Sequence, residues 1–403
     1  MDIIKLDKIE KCVGKKYVSL VVKYPITFKS AITSAVEVIY SLLQPRTLID
    51  FILSLFISGR ATIVEVDKTK DGFIESALIG GVFKVNSKKI RAAVLVITSG
   101  NYKEVWVYTK PNDDPRILTN IFDDFVKNKN PLKGKTIDIF GNEENLEDYT
   151  WDLIAIPENL RREIEENIIW PVKYIEKIKK LGLVVARGIL IEGERGMGKT
   201  TLTKIIGREI KGKGTYIRAR PSDISKLGWD YVFEVTKTLE PSVLCIEDIE
   251  SLTPNIRDPE LSKFITDFLD YLDGVKERGD VLFLATTNEP GLIDLRILDR
   301  PGRIDRRLIL DPRDKKLFGL KWKEEVLRIH LRRFKLDPKV DIRDIAKLIE
   351  DIPYTGAHIK ELVNTAAIQA LRRMGIEKDL SEIILTFEDF KRANEILKSQ
   401  IKI

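Results

Sequence analysis

The run from Gly193 to Thr200, Gly-Glu-Arg-Gly-Met-Gly-Lys-Thr, has the residue types and spacing that hold a triphosphate. It follows the apolar run Gly188–Ile191 and precedes a segment with Leu202, Ile205 and Ile206 on one helical face, which is the strand–loop–helix context this motif requires. Gly196 and Gly198 let the backbone turn so that successive N–H groups point at one anion. A helix starting there adds partial positive charge. Lys199 is the cation for the outer phosphate oxygens, and Thr200 offers a hydroxyl to Mg²⁺, which prefers hard oxygen ligands. Glu194, Arg195, Met197 and Thr201 complete the stretch that would wrap the phosphates.

Holding phosphates is not hydrolysing them; that needs a metal carboxylate and a group that activates water. Pro241-Ser-Val-Leu-Cys-Ile-Glu-Asp supplies an apolar strand ending in Glu247 and Asp248. Carboxylates at the C-terminal end of a strand lie in the ligand crevice of an open α/β sheet. One of the two carboxylates can orient Mg²⁺ through water, and the other can polarise the attacking water. The run Val281–Ala285 leads to Thr286, Thr287 and Asn288, whose amide is placed to hold that water.

These residues need a parallel sheet to bring them together. Short apolar runs at Gly188–Ile191, Tyr216–Arg218, Val243–Ile246, Val281–Ala285 and Leu308–Leu310 alternate with helical segments, the pattern of a parallel sheet covered on both faces. After Asp311 the sequence reads as all helical, with Ile359, Leu362, Val363, Ala366, Ala367 and Ala370 as an apolar stripe. Before residue 145 the reading is a smaller α+β domain. Its strands fall near 16–24, 61–67, 81–86, 91–98 and 103–109, with helices at 30–43 and 47–58. A polar linker with a short strand, Thr136–Phe140, follows. The expected fold is therefore an α/β P-loop sheet with a C-terminal helical lid and a preceding α+β domain, divided 1–145, 146–312 and 313–403.

The 403 residues are enough for two or three domains. A net charge of +6 permits nucleic acid or an acidic partner without arguing for either. Cys12 and Cys245 have neither metal-ligand nor disulfide spacing, so the chain reads as reduced, intracellular and cytoplasmic. Scarce Met and Cys beside abundant Lys and Glu form a thermophile signature. The apolar run Leu48–Ile57 is about half the length that spans a bilayer. Residues 30–58 read as a core helical hairpin, with a membrane-surface hairpin as the alternative.

Together these motifs resemble the AAA family within the AAA+ ATPases, from Tyr149 to about Arg373. The resemblance implies that Leu153, Ile154 and Ala155 hold adenine and that Asn288 is the first sensor. It implies arginine fingers at Arg300 and Arg303, His330 at the ribose and adenine, and Gly356 and Ala357 at the nucleotide from the second sensor region. Fingers act on a neighbouring subunit's γ-phosphate, so the resemblance implies a homo-oligomeric ring, commonly a hexamer in this family. The expected cofactors are ATP and Mg²⁺, and the partner is a protein substrate. The order Glu247-Asp248 reverses the family's usual Asp-Glu, and the resemblance implies Glu247 at the metal, beside Thr200, and Asp248 at the base position. It is similar to the branch of the mitochondrial chaperone that translocates the Rieske iron–sulfur protein, whereas the lid resembles proteasome-activating and unfoldase members. Lys226-Leu227-Gly228-Trp229 is either a substrate-gripping pore loop or a loop packed down by Trp229. Three functions fit this reading: a protein-remodelling motor, a DNA-directed loader, and a nucleotide-gated assembly scaffold.

Overall fold

The structure is a computed structural model and describes residues 8–10, 12–13, 15–44, 63–70, 73–183, 185, 187–252, 266–270, 279–293, 304–375 and 383–400. It divides into two compact units. One comprises Met1–Lys133, Ile137–Asn142 and Asp230–Leu239; the other comprises Gly134–Thr136, Glu143–Trp229 and Glu240–Ile403.

The first unit is built on an antiparallel sheet of β1 (Val18–Pro25), β2 (Leu43–Gln44), β3 (Ile63–Lys68), β4 (Ile74–Val85), β5 (Lys88–Ser99) and β6 (Tyr102–Thr109). The order is β1-β6-β5-β4-β2, with β3 also on β4. Asn86 and Ser87, with φ of 45° and 68°, make the two-residue turn that joins β4 to β5. Positive φ at both turn residues matches the twist of a tight hairpin. Strand β4 starts earlier than the 81–86 expected, because Gly80 and Gly81 continue the strand instead of breaking it. At Gly80 a Cβ would come 2.6 Å from the Cys12 sulfur, so the bare backbone there makes room for a buried side chain. Helix α1 (Lys29–Leu42) buries Ala31, Ile32, Ala35 and Ile39. Helix α2 (Arg116–Lys127), which the sequence reading did not anticipate, buries Leu118, Phe122 and Val126 at four-residue spacing. The expected helix at 47–58 lies outside the described residues. No helix among the described residues is long and apolar enough to cross a membrane.

After β7 (Thr136–Asp138), which the division between the units cuts, the second unit carries β8 (Gly188–Gly193), β9 (Thr215–Ala219), β10 (Ser242–Ile246), β11 (Val281–Thr287) and β12 (Arg306–Leu310), in the order β12-β8-β11-β10-β9. The register pairs from β12 through β9 are all parallel. Every residue of β10 and β11 is buried, as a strand covered on both faces requires. Helix α3 (Glu158–Ile164) leads in, and α4 (Lys199–Ile210) follows β8.

The lid has helices α5 (Leu320–Leu331), α6 (Ile342–Leu348), α7 (Gly356–Met374) and α8 (Phe387–Gln400). It is not wholly helical: β13 (Lys335–Leu336) pairs in parallel with β14 (Ile384–Leu385). Two residues per strand are too few to leave a periodic signal. One hydrophobic cluster runs from Ile191 and Leu310 of the sheet through Trp322 and Leu327 to Leu362 and Phe390.

Lys323 is a buried cation inside this lid. Its Nζ donates to the carbonyls of Ile349, Glu350 and Ile352 at 2.7, 2.7 and 2.6 Å, closing the C-terminal end of α6. Burial lowers its ammonium to about 8. Lys323→Met would strip the donor from three carbonyls while keeping the apolar stem. The expected loss is about 3 kcal/mol, read as a lower midpoint in thermal unfolding. An unchanged midpoint would mean that water satisfies those carbonyls.

Candidate active site

Strand β8 ends at Gly193, and helix α4 begins at Lys199. The loop between them turns through Gly196 at φ +87° and Gly198 at φ +86°, a region that side-chain-bearing residues rarely adopt. Close neighbours also require glycine here. A Cβ on Gly196 would sit 2.6 Å from the Ala357 Cβ, and one on Gly198 would sit 2.8 Å from the Ile154 Cδ1. The lid therefore touches the loop directly, and Ala357 N donates to the Gly196 carbonyl at 3.0 Å. The contact is held by a capping box at the start of α7: Thr355 Oγ1 accepts from His358 N, and His358 Nδ1 accepts from Thr355 N.

Lys199 is almost fully buried. Its Nζ donates to the Gly193 carbonyl at 2.6 Å, the Glu194 carbonyl at 3.0 Å and Asn288 Oδ1 at 2.7 Å. Burial lowers its ammonium below the ordinary lysine value, and the Asp248 and Glu250 carboxylates oppose that shift. Asn288 in turn donates from Nδ2 to Asp248 Oδ1 at 2.7 Å, and its backbone N–H donates to Glu250 Oε1 at 3.1 Å. Asp248 takes a left-handed conformation, φ +52°, with its N–H donating to Thr286 Oγ1 at 3.1 Å. Such strain in a non-glycine residue recurs at functional sites. The ends of β8, β10 and β11 thus converge on one cleft of about 630 Å³, lined by Arg195, Thr200, Thr201 and Glu250 among others.

The other residues picked out from sequence are distributed unevenly around this cleft. Glu247 does not line it but stands beside its metal side: Oε1 accepts from Thr203 Oγ1 at 2.9 Å, one turn of α4 beyond Thr200. Met197 is buried in the hydrophobic cluster. Glu194 pairs with Arg313 at 3.2 Å. Leu153 is exposed, whereas Ile154 and Ala155 line a second cavity of about 440 Å³ with Leu320 and Trp322. Trp322 Nε1 donates to the Ala155 carbonyl at 2.9 Å. His330 lies half-buried on α5 and does not line the phosphate cleft; burial and the cations Lys360 and Arg333 lower its imidazole. Gly356 sits against the Gly196 carbonyl. Arg300 and Arg303 lie outside the described residues. Trp229 is buried and stacks on Phe268 at 4.3 Å between ring centroids, so the aromatic of the Lys226–Trp229 segment is packed.

Glu250, Thr286, Thr355 and His358 also build the site and were not picked out from sequence. Glu250 stands two residues past Asp248, and that proximity was the signal available. Among the described residues no cluster of three or more His, Cys, Asp or Glu could hold a metal. A nucleotide-bound Mg²⁺ takes most of its oxygens from phosphate and water, so it does not need one.

Residues 189–312 match the AAA family, the ATPases associated with various cellular activities. The chain carries an AAA ATPase domain. The matched AAA span includes Lys199, Thr200, Glu247, Asp248, Asn288, Arg300 and Arg303, and the lid residues fall beyond it. The chain is similar to Protein SAV of Sulfolobus acidocaldarius, 32% identical over 240 residues, covering 58% of this chain and 30% of that protein. It is 31% identical over 264 residues to the cell division cycle protein 48 homolog of Archaeoglobus fulgidus, covering 61% and 35%. It is 31% identical over 260 residues to the proteasome-activating nucleotidase of Methanocaldococcus jannaschii, covering 61% and 56%. The chain thus spans from about a third to just over half the length of these relatives.

Proposed function

We propose that this protein binds ATP in the Gly193–Thr200 cleft, hydrolyses it, and couples hydrolysis to remodelling or translocation of a protein substrate within a homo-oligomeric ring. The observation that carries the ATPase part is the chain of contacts Lys199–Asn288–Asp248 at the mouth of a glycine loop. In this reading residues 146–312 bind nucleotide, 313–403 form the lid, and 1–145 choose the partner.

Each residue has a task. Lys199 leaves Asn288 Oδ1 for the phosphate oxygens and stays anchored by the Gly193 and Glu194 carbonyls. Asn288 then holds Asp248 and the attacking water in line, and Asp248 accepts the water's proton. Backbone N–H groups of the loop and the first turn of α4 face the phosphates. Thr200, exposed at that first turn, is the hydroxyl that would hold Mg²⁺, with Glu247 reaching it through water. The ion, when bound with ATP, supplies neutralising charge at the phosphates. Ile154 and Ala357, which flank the loop, close the cleft from the base side. The similarity to proteins named proteasome-activating nucleotidase and cell division cycle protein 48 homolog supports a protein substrate.

The ring is tested by mixing. Arg303→Ala and Lys199→Ala chains, each inactive alone, should regain turnover when mixed, because a Lys199→Ala subunit can lend its Arg303 to the intact cleft of an Arg303→Ala neighbour. No recovery on mixing would show that no finger is shared between subunits and would end the ring proposal.

A further inference from the structure

Glu192 is the last side chain before the loop glycine Gly193, it is 4% exposed, and it is a carboxylate. Arg307 holds it from two sides: Nε donates to Oε1, and Nη2 donates to Oε2 at 3.0 Å. The register explains the reach. Arg307 lies opposite Leu190 on the neighbouring strand, and Glu192 is two residues further along the same face of β8. A second tie binds these strands at their start, where Asp305 N donates to the Gly188 carbonyl at 2.8 Å. Strand β12 is the sheet's edge, and it emerges from the segment that carries Arg300 and Arg303.

The two carbonyls that hold Lys199 belong to Gly193 and Glu194, the residues immediately after Glu192. We propose that Arg307 is a positioning residue: through its two-point contact with Glu192 it fixes the end of β8, and thereby sets where Lys199 stands and how tightly the loop takes a nucleotide. The buried carboxylate demands a cation, and a planar guanidinium is the one that fixes two oxygens at once. This inference rests on the reading of the loop as a nucleotide site.

The test uses the full chain, a fluorescent ATP analogue and its dissociation constant, well below the unfolding midpoint of every variant. Arg307→Gln and Glu192→Gln should each weaken binding at least about fivefold. The double variant should be no weaker than the weaker single, because neither partner is left facing an unmatched charge. Arg307→Lys, which keeps the charge but loses the fork, should fall between wild type and Arg307→Gln. Wild-type affinity in Arg307→Gln with only its melting point lowered would reduce the pair to a structural strut and overturn the proposal; so would fully additive losses in the double variant. Should Arg307→Gln fail to fold, Arg307→Lys against the double variant decides the matter on the same terms. Lys199→Ala separates the two levels: if it binds the analogue like wild type, the nucleotide site itself is wrong; if it loses binding while the Arg307 variants do not, only the coupling is.

Discussion

Lys199→Ala should lower ATP turnover by at least about a hundredfold, the scale of removing one preorganised donor from a developing anion. The structure explains why the effect should be that large. The ammonium is buried, its stem is enclosed, and backbone carbonyls aim it from behind. Among the described residues no other cation stands in the same place: Arg195 lines the cleft but is exposed at the loop surface. The substitution should cost little stability, because Lys199 lines an open cleft where water can take over the three acceptors that the ammonium leaves. Loss of turnover with an unchanged melting point is therefore the expected pair of readings. A variant that keeps more than about a tenth of wild-type turnover would put the phosphate-binding cation elsewhere.

Asp248→Asn should lower turnover between about a hundredfold and ten-thousandfold while ATP still binds, the range for removing a general base. Asparagine is the right replacement for a structural reason. Residue 248 sits at φ +52°, which Asn tolerates better than other side-chain-bearing residues, so the backbone is not further strained. The Asn carbonyl can also keep accepting from Asn288 Nδ2, the contact now made by Asp248 Oδ1. What changes is basicity. Measured binding of ATP alongside turnover separates the two effects, and equal losses in both would mean that Asp248 shapes the cleft without taking a proton.

The parts of this site that follow from local chemistry were legible in the sequence. A glycine loop between a strand and a helix, an apolar strand ending in carboxylates, and a second strand ending in Asn288 all depend on short windows. The structure brings Lys199, Asp248 and Asn288 together as those windows imply. What was less legible depends on contacts distant in sequence. Glu247 faces Thr203 because α4 passes beside the end of β10, a distance of many residues along the chain. Glu192 looks like a polar interruption in an apolar strand until Arg307 is placed beside it. Trp229 could be read either way because exposure is decided by Phe268. In the first unit Gly80 and Gly81 read as a break, yet the strand runs through them because Cys12 needs the space.

The central claim is that the cleft hydrolyses ATP, and the most direct measurement is steady-state phosphate release from MgATP. It should be made at several temperatures up to about 80 °C, since the charged, Met-poor composition points to a thermophile. The account predicts sustained turnover by the wild-type chain that disappears in Lys199→Ala. ATP binding without turnover at any temperature, with or without added protein partners, would contradict it and leave a nucleotide-gated scaffold in its place.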